Sequence, residues 1–166
     1  MNKPSSPAPA GNPATLRRTA RSLPIALLRA REKIMAPVRE MLAQSGVSEQ
    51  KWRILRVLEE AGPLDQSLLA QNACLQLPSL TRILRAMEDH GLVARETDAT
   101  DRRRSIVSIT DAGRQLIADN TPASIALFSR IEQAYGSERM KQLLDLLEEL
   151  HETDLPEATP GHEAGE

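Results

Sequence analysis

Apolar residues in the first fifty positions recur every three or four residues, which is the spacing of an amphipathic helix. We predict a long first helix that starts near Ser22, tolerates Pro24 in its first turn and ends before Gly46. Pro37 is expected to kink it. The helix carries a broad apolar surface, wide enough to contact more than one neighbour, made of Leu23, Leu27, Leu28, Ile34, Met35, Val38 and Leu42.

Three shorter helices are predicted to follow. Ser48 is suited to cap a second helix that runs to about Ala61, and Asp65 is suited to cap a short third one. Pro78 opens a fourth helix, which Gly91 ends. Its apolar stripe has the spacing i, i+3, i+4, i+7 and consists of Leu80, Ile83, Leu84 and Met87.

After Gly91, the spacing of apolar residues changes from the helical period to a pattern typical of β-strands. The runs 92–97 and 105–109 are short and rich in Val, Ile and Thr, which predicts a β-hairpin with a long charged tip at 98–104. Thr110 is suited to cap a fifth helix, in which Pro122 predicts a kink or break near Asn120. Gly136 is expected to end that segment. Ser137 is expected to cap a last helix with an apolar stripe of Met140, Leu143, Leu144, Leu147 and Leu150.

Composition narrows the fold class. Aromatic residues make up 2% of the 166 positions, which argues against most all-β folds and leaves an aliphatic, helical core. Cys74 is the one cysteine, so a disulfide framework or a cysteine-rich zinc site within one chain is excluded. Apolar neighbours predict that its thiol is buried and structural, with a redox switch as the alternative.

Several classes of chemistry are not expected. The three histidines are scattered, so neither a metal nor a cofactor is predicted, and no catalytic constellation is apparent. The chain has no apolar run of membrane-spanning length and no secretory signal, so we expect a soluble, cytoplasmic protein that does not bind membranes.

Charge is distributed unevenly behind the net value of −2. Residues 17–56 contain ten Lys or Arg and three Asp or Glu, whereas residues 132–166 contain two and ten. Together with the patterns above, this suggests five regions. They are a disordered arm at 1–16, an N-terminal dimerisation helix at 17–47, a DNA-binding region at 48–110, C-terminal dimerisation helices at 111–153 and a disordered acidic tail at 154–166.

Helices followed by a hairpin with a basic tip predict a winged helix-turn-helix. A helix fits the major groove of DNA, and the polar face of the fourth helix carries donors at Ser79, Thr81, Arg82 and Arg85. The hairpin tip offers Asp101, Arg102, Arg103 and Arg104 to an adjacent minor groove. Taken singly, Arg82 and Arg85 fit a solvated helix face with ion pairs to Glu88 and Asp89 equally well, and the three wing arginines fit a solvated turn. Their order and spacing favour DNA binding.

The chain resembles the MarR family of transcriptional regulators. The resemblance rests on the segments 46–55, 78–84 and 91–93, on Asp101-Arg102-Arg103, and on Ile109-Thr110 with Gly113. It implies a mainly α fold with a small β-wing, and a homodimer whose interface is formed by the first, fifth and sixth helices. It also implies binding to a pseudo-palindromic double-stranded DNA operator, with Asp101 and Arg103 as paired wing residues.

Segments 22–32, 73–75 and 77–81 are similar to one branch of that family, the regulators of homoprotocatechuate degradation. The branch resemblance implies a repressor that is released by a small phenolic carboxylate. The effector site implied is Ser22, Arg31 and Met35 on the first helix, Glu49, Trp52 and Arg56 on the second, and Phe128 on the fifth. Arg31 or Ser22 is expected to hold the carboxylate, and Glu49 and Trp52 the phenol.

Alternative roles stay open for two of these residues and for the whole protein. Trp52 is also suited to anchor the core, and Arg31 to pair with an acidic residue. Within the same family, the sensed ligand is alternatively an antibiotic or an oxidant. A dimer of this fold that acts mainly through a protein partner is a further alternative, whereas a small helical enzyme lacks any candidate catalytic site.

Overall fold

The computed structural model describes residues 22–97 and 104–156. The predicted arm at 1–16, most of the predicted tail and the wing residues Asp101, Arg102 and Arg103 lie outside these ranges. The fold is mainly helical with one small sheet, as predicted. Its elements are α1 (Leu23–Ala43), α2 (Glu49–Ala61), β1 (Leu64–Asp65), α3 (Gln66–Asn72), α4 (Leu77–Asp89), β2 (Val93–Thr97), β3 (Ser105–Ile109), α5 (Asp111–Tyr135) and α6 (Ser137–Glu152).

The predicted caps begin four helices. Ser22 is the N-cap of α1, and the Ser48 hydroxyl accepts from the Lys51 amide at the start of α2. The Asp65 carboxylate accepts from the amides of Ser67 and Leu68 at 2.9 and 3.0 Å, which satisfies two of the amides that a helix start leaves unpaired. Thr110 begins α5, and its hydroxyl accepts a hydrogen bond from the Gly113 amide at 3.2 Å.

Helices α1, α3 and α4 end in the same pattern of backbone hydrogen bonds. At the end of α1, the Gly46 amide donates to Ala43 and the Val47 amide donates to Leu42, both at 3.1 Å, which is a Schellman motif. The motif requires a left-handed residue, supplied by Gly46 after α1 and by Gly91 after α4, each with φ +66°.

The third such position is held by Cys74, whose φ is 49°. The prediction of a buried thiol is wrong, because Cys74 is exposed. Its apolar neighbours behave differently: Ala73 is fully buried and Leu75 packs against the core. The left-handed backbone at the end of α3 places the Cys74 side chain at the surface between them.

One apolar cluster holds α2, α3, α4, the sheet and the start of α5 together. The predicted stripe of α4 supplies Leu80, Leu84 and Met87, all fully buried, and Ile83 packs at its margin. The other helices contribute Ile54, Leu55, Leu58, Leu69 and Ile117, and the strands contribute Val93 and Val107. Trp52 is half-buried against this cluster, as its alternative role of core anchor requires.

The sheet has three antiparallel strands in the order β1-β3-β2. The hairpin of β2 and β3 agrees with the prediction to within one residue, and Val93 pairs with Ile109 at its base. The two-residue strand β1 was not predicted. It pairs Leu64 with Val107 and Asp65 with Ile106, and so joins the start of α3 to the wing.

The C-terminal helices depart from two predictions. Of the kink or break predicted near Asn120, the break is absent, because α5 runs without interruption from Asp111 to Tyr135 with Pro122 inside it. Ser137 does not cap α6 but is its first residue, and Gly136 is the N-cap, with φ 98°. A single glycine therefore connects α5 to α6, and it leaves no room for a separate capping serine.

The chain divides into two compact units, with the boundary after Asn120 inside α5. The first unit contains α1 to α4, the sheet and the beginning of α5. The second contains the rest of α5 and α6. No residue of α6 is buried. Among the described residues, no helix is both long and apolar enough to cross a membrane.

Candidate functional site

The exposed face of α4 carries the predicted DNA-contacting side chains. At 3.6 residues per turn, Ser79, Thr81, Arg82 and Arg85 fall on the side opposite the buried stripe of Leu80, Leu84 and Met87. Ser79, Arg82 and Arg85 are exposed, and Thr81 is half-buried with its hydroxyl donating to the Leu77 carbonyl at 3.0 Å. The face therefore presents two guanidinium groups and two hydroxyls to solvent.

Neither Arg82 nor Arg85 forms an ion pair with another described residue. Glu88, which could have neutralised them, instead accepts from Arg95 of β2, with Arg95 Nε at 2.8 Å from Glu88 Oε2. The ion pairs to Glu88 and Asp89 that belong to the alternative role of these arginines are therefore not formed among the described residues.

A cleft of about 340 Å³ lies beside this face, where the first turn of α2 meets α4. Lys51 and Arg82 are the two cations that border it. Its lining consists of Ser48, Gln50, Lys51, Leu75, Ser79, Arg82, Ile83 and Ala86. Lys51 was not predicted from the sequence; it lies in the first turn of α2, beside α4.

The base of the wing is joined to α3 by Arg104, which donates to the Asp65 carboxylate at 2.5 Å. The pKa of Asp65 is lowered, first by the Leu68 amide and then by Arg104, both of which favour the charged form. Arg104, which was predicted to contact DNA, thus also binds the base of the wing to the start of α3. The tip residues Asp101, Arg102 and Arg103 lie outside the described part of the chain.

A second polar centre is the carboxylate of Glu49, at the first position of α2. Its exposed fraction is 9%, and its Oε1 accepts hydrogen bonds from Arg31 of α1 and, at 2.7 Å, from Arg53 of α2. Arg39 of α1 approaches Oε2 at 3.5 Å and also pairs with Glu32. The pKa of Arg39 is raised, chiefly by its hydrogen bond to Glu32. We call Arg31, Arg39, Glu49 and Arg53 the Glu49 cluster.

The predicted effector residues are only partly brought together. Arg31 and Glu49 are in direct contact, as an ion pair. Trp52 and Arg56 lie one turn apart on α2, where Arg56 pairs with Glu60. The others lie on different elements: Ser22 caps α1, half-buried Met35 is one turn after Arg31, and exposed Phe128 belongs to the second unit.

Arg39 and Arg53 were not predicted from the sequence. The spacing of Glu49 and Arg53, four residues apart on a helix, was the available signal. Arg39 lies ten residues before Glu49, in another helix, so only the packing of α1 against α2 reveals its role. Among the described residues, no group of three His, Cys, Asp or Glu side chains could hold a metal ion.

Comparison with known proteins agrees with this arrangement. The family model described as MarR family matches residues 47–105. The homoprotocatechuate degradative operon repressor of Escherichia coli is 41% identical over 128 residues, covering 77% of this chain and 86% of that protein. FarR of Neisseria gonorrhoeae, an HTH-type transcriptional regulator, is 40% identical over 129 residues, covering 78% and 88%.

Among solved structures, NadR in complex with 4-hydroxyphenylacetate is 37% identical with a TM-score of 0.74, covering 86% of this chain and 100% of that one. The winged helix with its exposed arginines and the identity of more than a third over most of the chain lead to one conclusion: this protein belongs to the MarR family of transcriptional regulators.

Proposed function

We propose that this protein is a homodimeric repressor that binds a pseudo-palindromic operator and is released from it by a small phenolic carboxylate. The observation that carries the proposal is the exposed face of α4, where Arg82 and Arg85 have no ion-pair partner among the described residues. A cationic helix face of this kind supplies both phosphate contacts and base contacts in the major groove. Ser79 and Thr81 add hydroxyl groups beside the two arginines.

The DNA-binding surface extends beyond α4 in this proposal. Lys51 and Ser48, at the start of α2, border the same cleft as Arg82 and are placed to contact the phosphate backbone. Arg102 and Arg103 at the wing tip reach an adjacent minor groove, with Asp101 orienting one of them. Arg104, bound to Asp65, holds the wing against the first turn of α3.

Salt dependence tests the part played by α4. Arg82→Gln removes one cation from each protomer, so the slope of log K against log salt is expected to fall by about 1.8 for a dimer. Lys33→Gln, at an exposed position of α1, makes the same charge change away from this face. An Arg82→Gln variant with unchanged operator affinity and slope would remove α4 from the mechanism. Equal losses on operator and random DNA would assign Arg82 to phosphate rather than to a base.

Exposed apolar faces support the homodimer. Four leucines of α6 are between 38% and 62% exposed, and Leu23, Leu27 and Leu28 of α1 are between 40% and 65% exposed. Several exposed leucines on one helix are typical of an interface. We expect Leu144→Glu to produce monomers in analytical ultracentrifugation and to lose operator binding. A dimer of unchanged stability would contradict the assignment of α6.

The effector part of the proposal rests on Arg31 and Glu49. A carboxylate needs a cation, and a phenol needs an acceptor; α1 supplies Arg31 and α2 supplies Glu49, which are paired with each other in the structure and exchange this pairing for the ligand in the proposal. The relatives named for homoprotocatechuate degradation and for a 4-hydroxyphenylacetate complex agree with this chemistry. Ser22, Met35, Trp52, Arg56 and Phe128 complete the proposed site.

Operator binding measured at fixed salt, with and without 4-hydroxyphenylacetate and homoprotocatechuate, tests the effector class. Coupling free energies between two sites are typically about 1–3 kcal/mol, so a loss of operator affinity of roughly 5–150-fold is expected. Benzoate, which lacks the phenol, is the control ligand. If no phenolic acid changes operator affinity, the proposed release mechanism fails.

A further inference from the structure

Arg53 contacts two separate parts of the first unit with one rigid group. Its Nη2 donates to Glu49 Oε1 at 2.7 Å, and its Nη1 donates to the Ala73 carbonyl at 2.9 Å. Nη1 also lies 3.4 Å from the Cys74 carbonyl. Because a guanidinium is planar and its donors are fixed relative to one another, a single orientation of the Arg53 head sets all of these contacts.

The two carbonyls belong to the turn that leads into the recognition helix. Ala73 is fully buried and Cys74 is left-handed, and α4 begins at Leu77, three residues after Cys74. The amides of Ala73, Cys74 and Leu75 are already bonded to carbonyls of α3. Arg53 binds the carbonyl side of the same turn, so its position bears directly on where α4 starts.

The Glu49 carboxylate, which binds Arg53, also binds side chains of α1. Arg31 shares Oε1 of Glu49 with Arg53, and Arg39 approaches Oε2. The cluster contains three guanidinium groups and one carboxylate, so it keeps excess positive charge even when Glu32 is counted. An anion that binds Arg31 and Arg39 competes with Glu49 for their donors, because each N–H is strongly shared with one acceptor at a time.

We propose that Arg53 is a positioning residue that transmits the occupancy of Arg31 and Arg39, through Glu49, to the turn before the recognition helix. When an anion takes the donors of α1, Glu49 keeps only Arg53 of its three guanidinium partners. The Arg53 head follows the carboxylate, and its hold on Ala73 changes. The effector's identity rests on the proposed function, whereas the link from α1 to α4 does not.

A double-mutant cycle tests this link without any effector. Arg31→Gln removes the α1 contact to Glu49, and we expect it to change operator affinity in the native background by more than about 3-fold, well outside the additivity error. In an Arg53→Gln background the same substitution should change operator affinity by less than about 2-fold, because the contacts that link Glu49 to Ala73 are already absent. An Arg31→Gln variant that has no effect, or the same effect in both backgrounds, overturns the proposal.

Two further variants separate this role from a purely structural one. Arg53→Lys keeps the charge beside Glu49, but a single ammonium lacks the fork that bonds Glu49 and Ala73 together, so it should behave like Arg53→Gln. Restored coupling in Arg53→Lys would contradict the proposal. Arg114→Gln is the matched control, since Arg114 also donates to a backbone carbonyl, that of Ile109 at 3.2 Å, but does not contact the Glu49 cluster.

The effector then tests the same residue independently. In the presence of 4-hydroxyphenylacetate, Arg53→Lys should lose less than about 2-fold in operator affinity while calorimetry still detects the effector on the free protein. An undiminished response in this variant overturns the role of Arg53. If the native protein does not respond to any phenolic acid, the proposed effector class fails, and the double-mutant cycle alone decides the link.

Discussion

Replacing Gly113 with alanine adds one methyl group at a point where α5 lies against the base of the wing. A Cβ at this position would be 2.4 Å from the Leu92 carbonyl oxygen and 2.7 Å from Cγ1 of Ile109. It would also be 3.2 Å from Cδ2 of Leu55. The nearest of these atoms is backbone, so no change of rotamer relieves the contact, and the wing base or the helix must move by roughly 1 Å to restore ordinary separations.

The expected cost follows from two opposing effects. Overpacking in a filled interior costs about 1–3 kcal/mol, and a backbone clash belongs at the upper end of that range. Alanine gains about 1 kcal/mol over glycine in a helix interior, which is an upper limit for Gly113 in the first turn of α5. The net destabilisation should therefore be about 2 kcal/mol. Helix propensity alone predicts that the alanine variant is more stable than the native protein. The sign of the change in the free energy of unfolding therefore distinguishes the two effects.

Urea unfolding at one fixed protein concentration measures the effect, since the stability of a dimer depends on concentration. Ala118→Gly, at an exposed position of the same helix, calibrates propensity and should cost about 1 kcal/mol. The Leu92 carbonyl also accepts the Thr110 amide at 3.2 Å, so its displacement should weaken operator binding as well. A Gly113→Ala variant as stable as the native protein, or more so, would show that the wing base yields to the methyl group without cost.

Three other predictions concern single side chains. Cys74 should react with a thiol reagent in the native protein, because it is exposed. Cys74→Gly should raise the free energy of unfolding by up to about 1 kcal/mol, because glycine adopts the left-handed backbone without strain; a loss of stability would contradict this. The pKa of Asp65 is lowered in the folded state, so its contribution to stability is complete above its unfolded pKa, near 3.8, and is lost as the pH falls through the lower folded value. Asp65→Asn should therefore destabilise the protein at neutral pH, and urea unfolding at lower pH should show that difference shrinking; a constant difference would argue against an ionised cap. Arg103→Ala should weaken binding to all DNA sequences and flatten the salt dependence by about one phosphate contact per protomer, and unchanged gel-shift titrations would remove the wing from the mechanism.

Local features of this fold could be predicted from sequence because their causes lie within a few residues. The buried stripe of α4 and the caps at Ser48 and Asp65 depend on neighbours within one helical turn. Strand β1 escaped prediction because two residues carry no periodicity, and only pairing with β3 defines them. Of the kink or break predicted near Asn120, the break did not occur, so the missing amide of Pro122 was not enough to end α5.

The candidate DNA surface was predictable for a similar reason. Once the apolar stripe fixes which face of α4 is buried, the opposite face must carry Arg82 and Arg85. That these two arginines lack an ion pair could not be predicted, because it depends on Glu88 turning to Arg95 across the boundary between α4 and β2. Sequence spacing placed Glu88 beside Arg85, three residues before it on the same helix, and gave no signal for Arg95.

The order of helices and hairpin, the buried face of α4 and most of the residues that begin and end the helices follow from the sequence alone, because helix periods and caps are local interactions. Which charges meet depends on tertiary packing instead. Arg31 and Glu49 are 18 residues apart, and Arg53 and Ala73 are 20 apart, so no helical period relates them. Those contacts exist because α1 packs on the start of α2 and the α3–α4 turn folds back on the same helix.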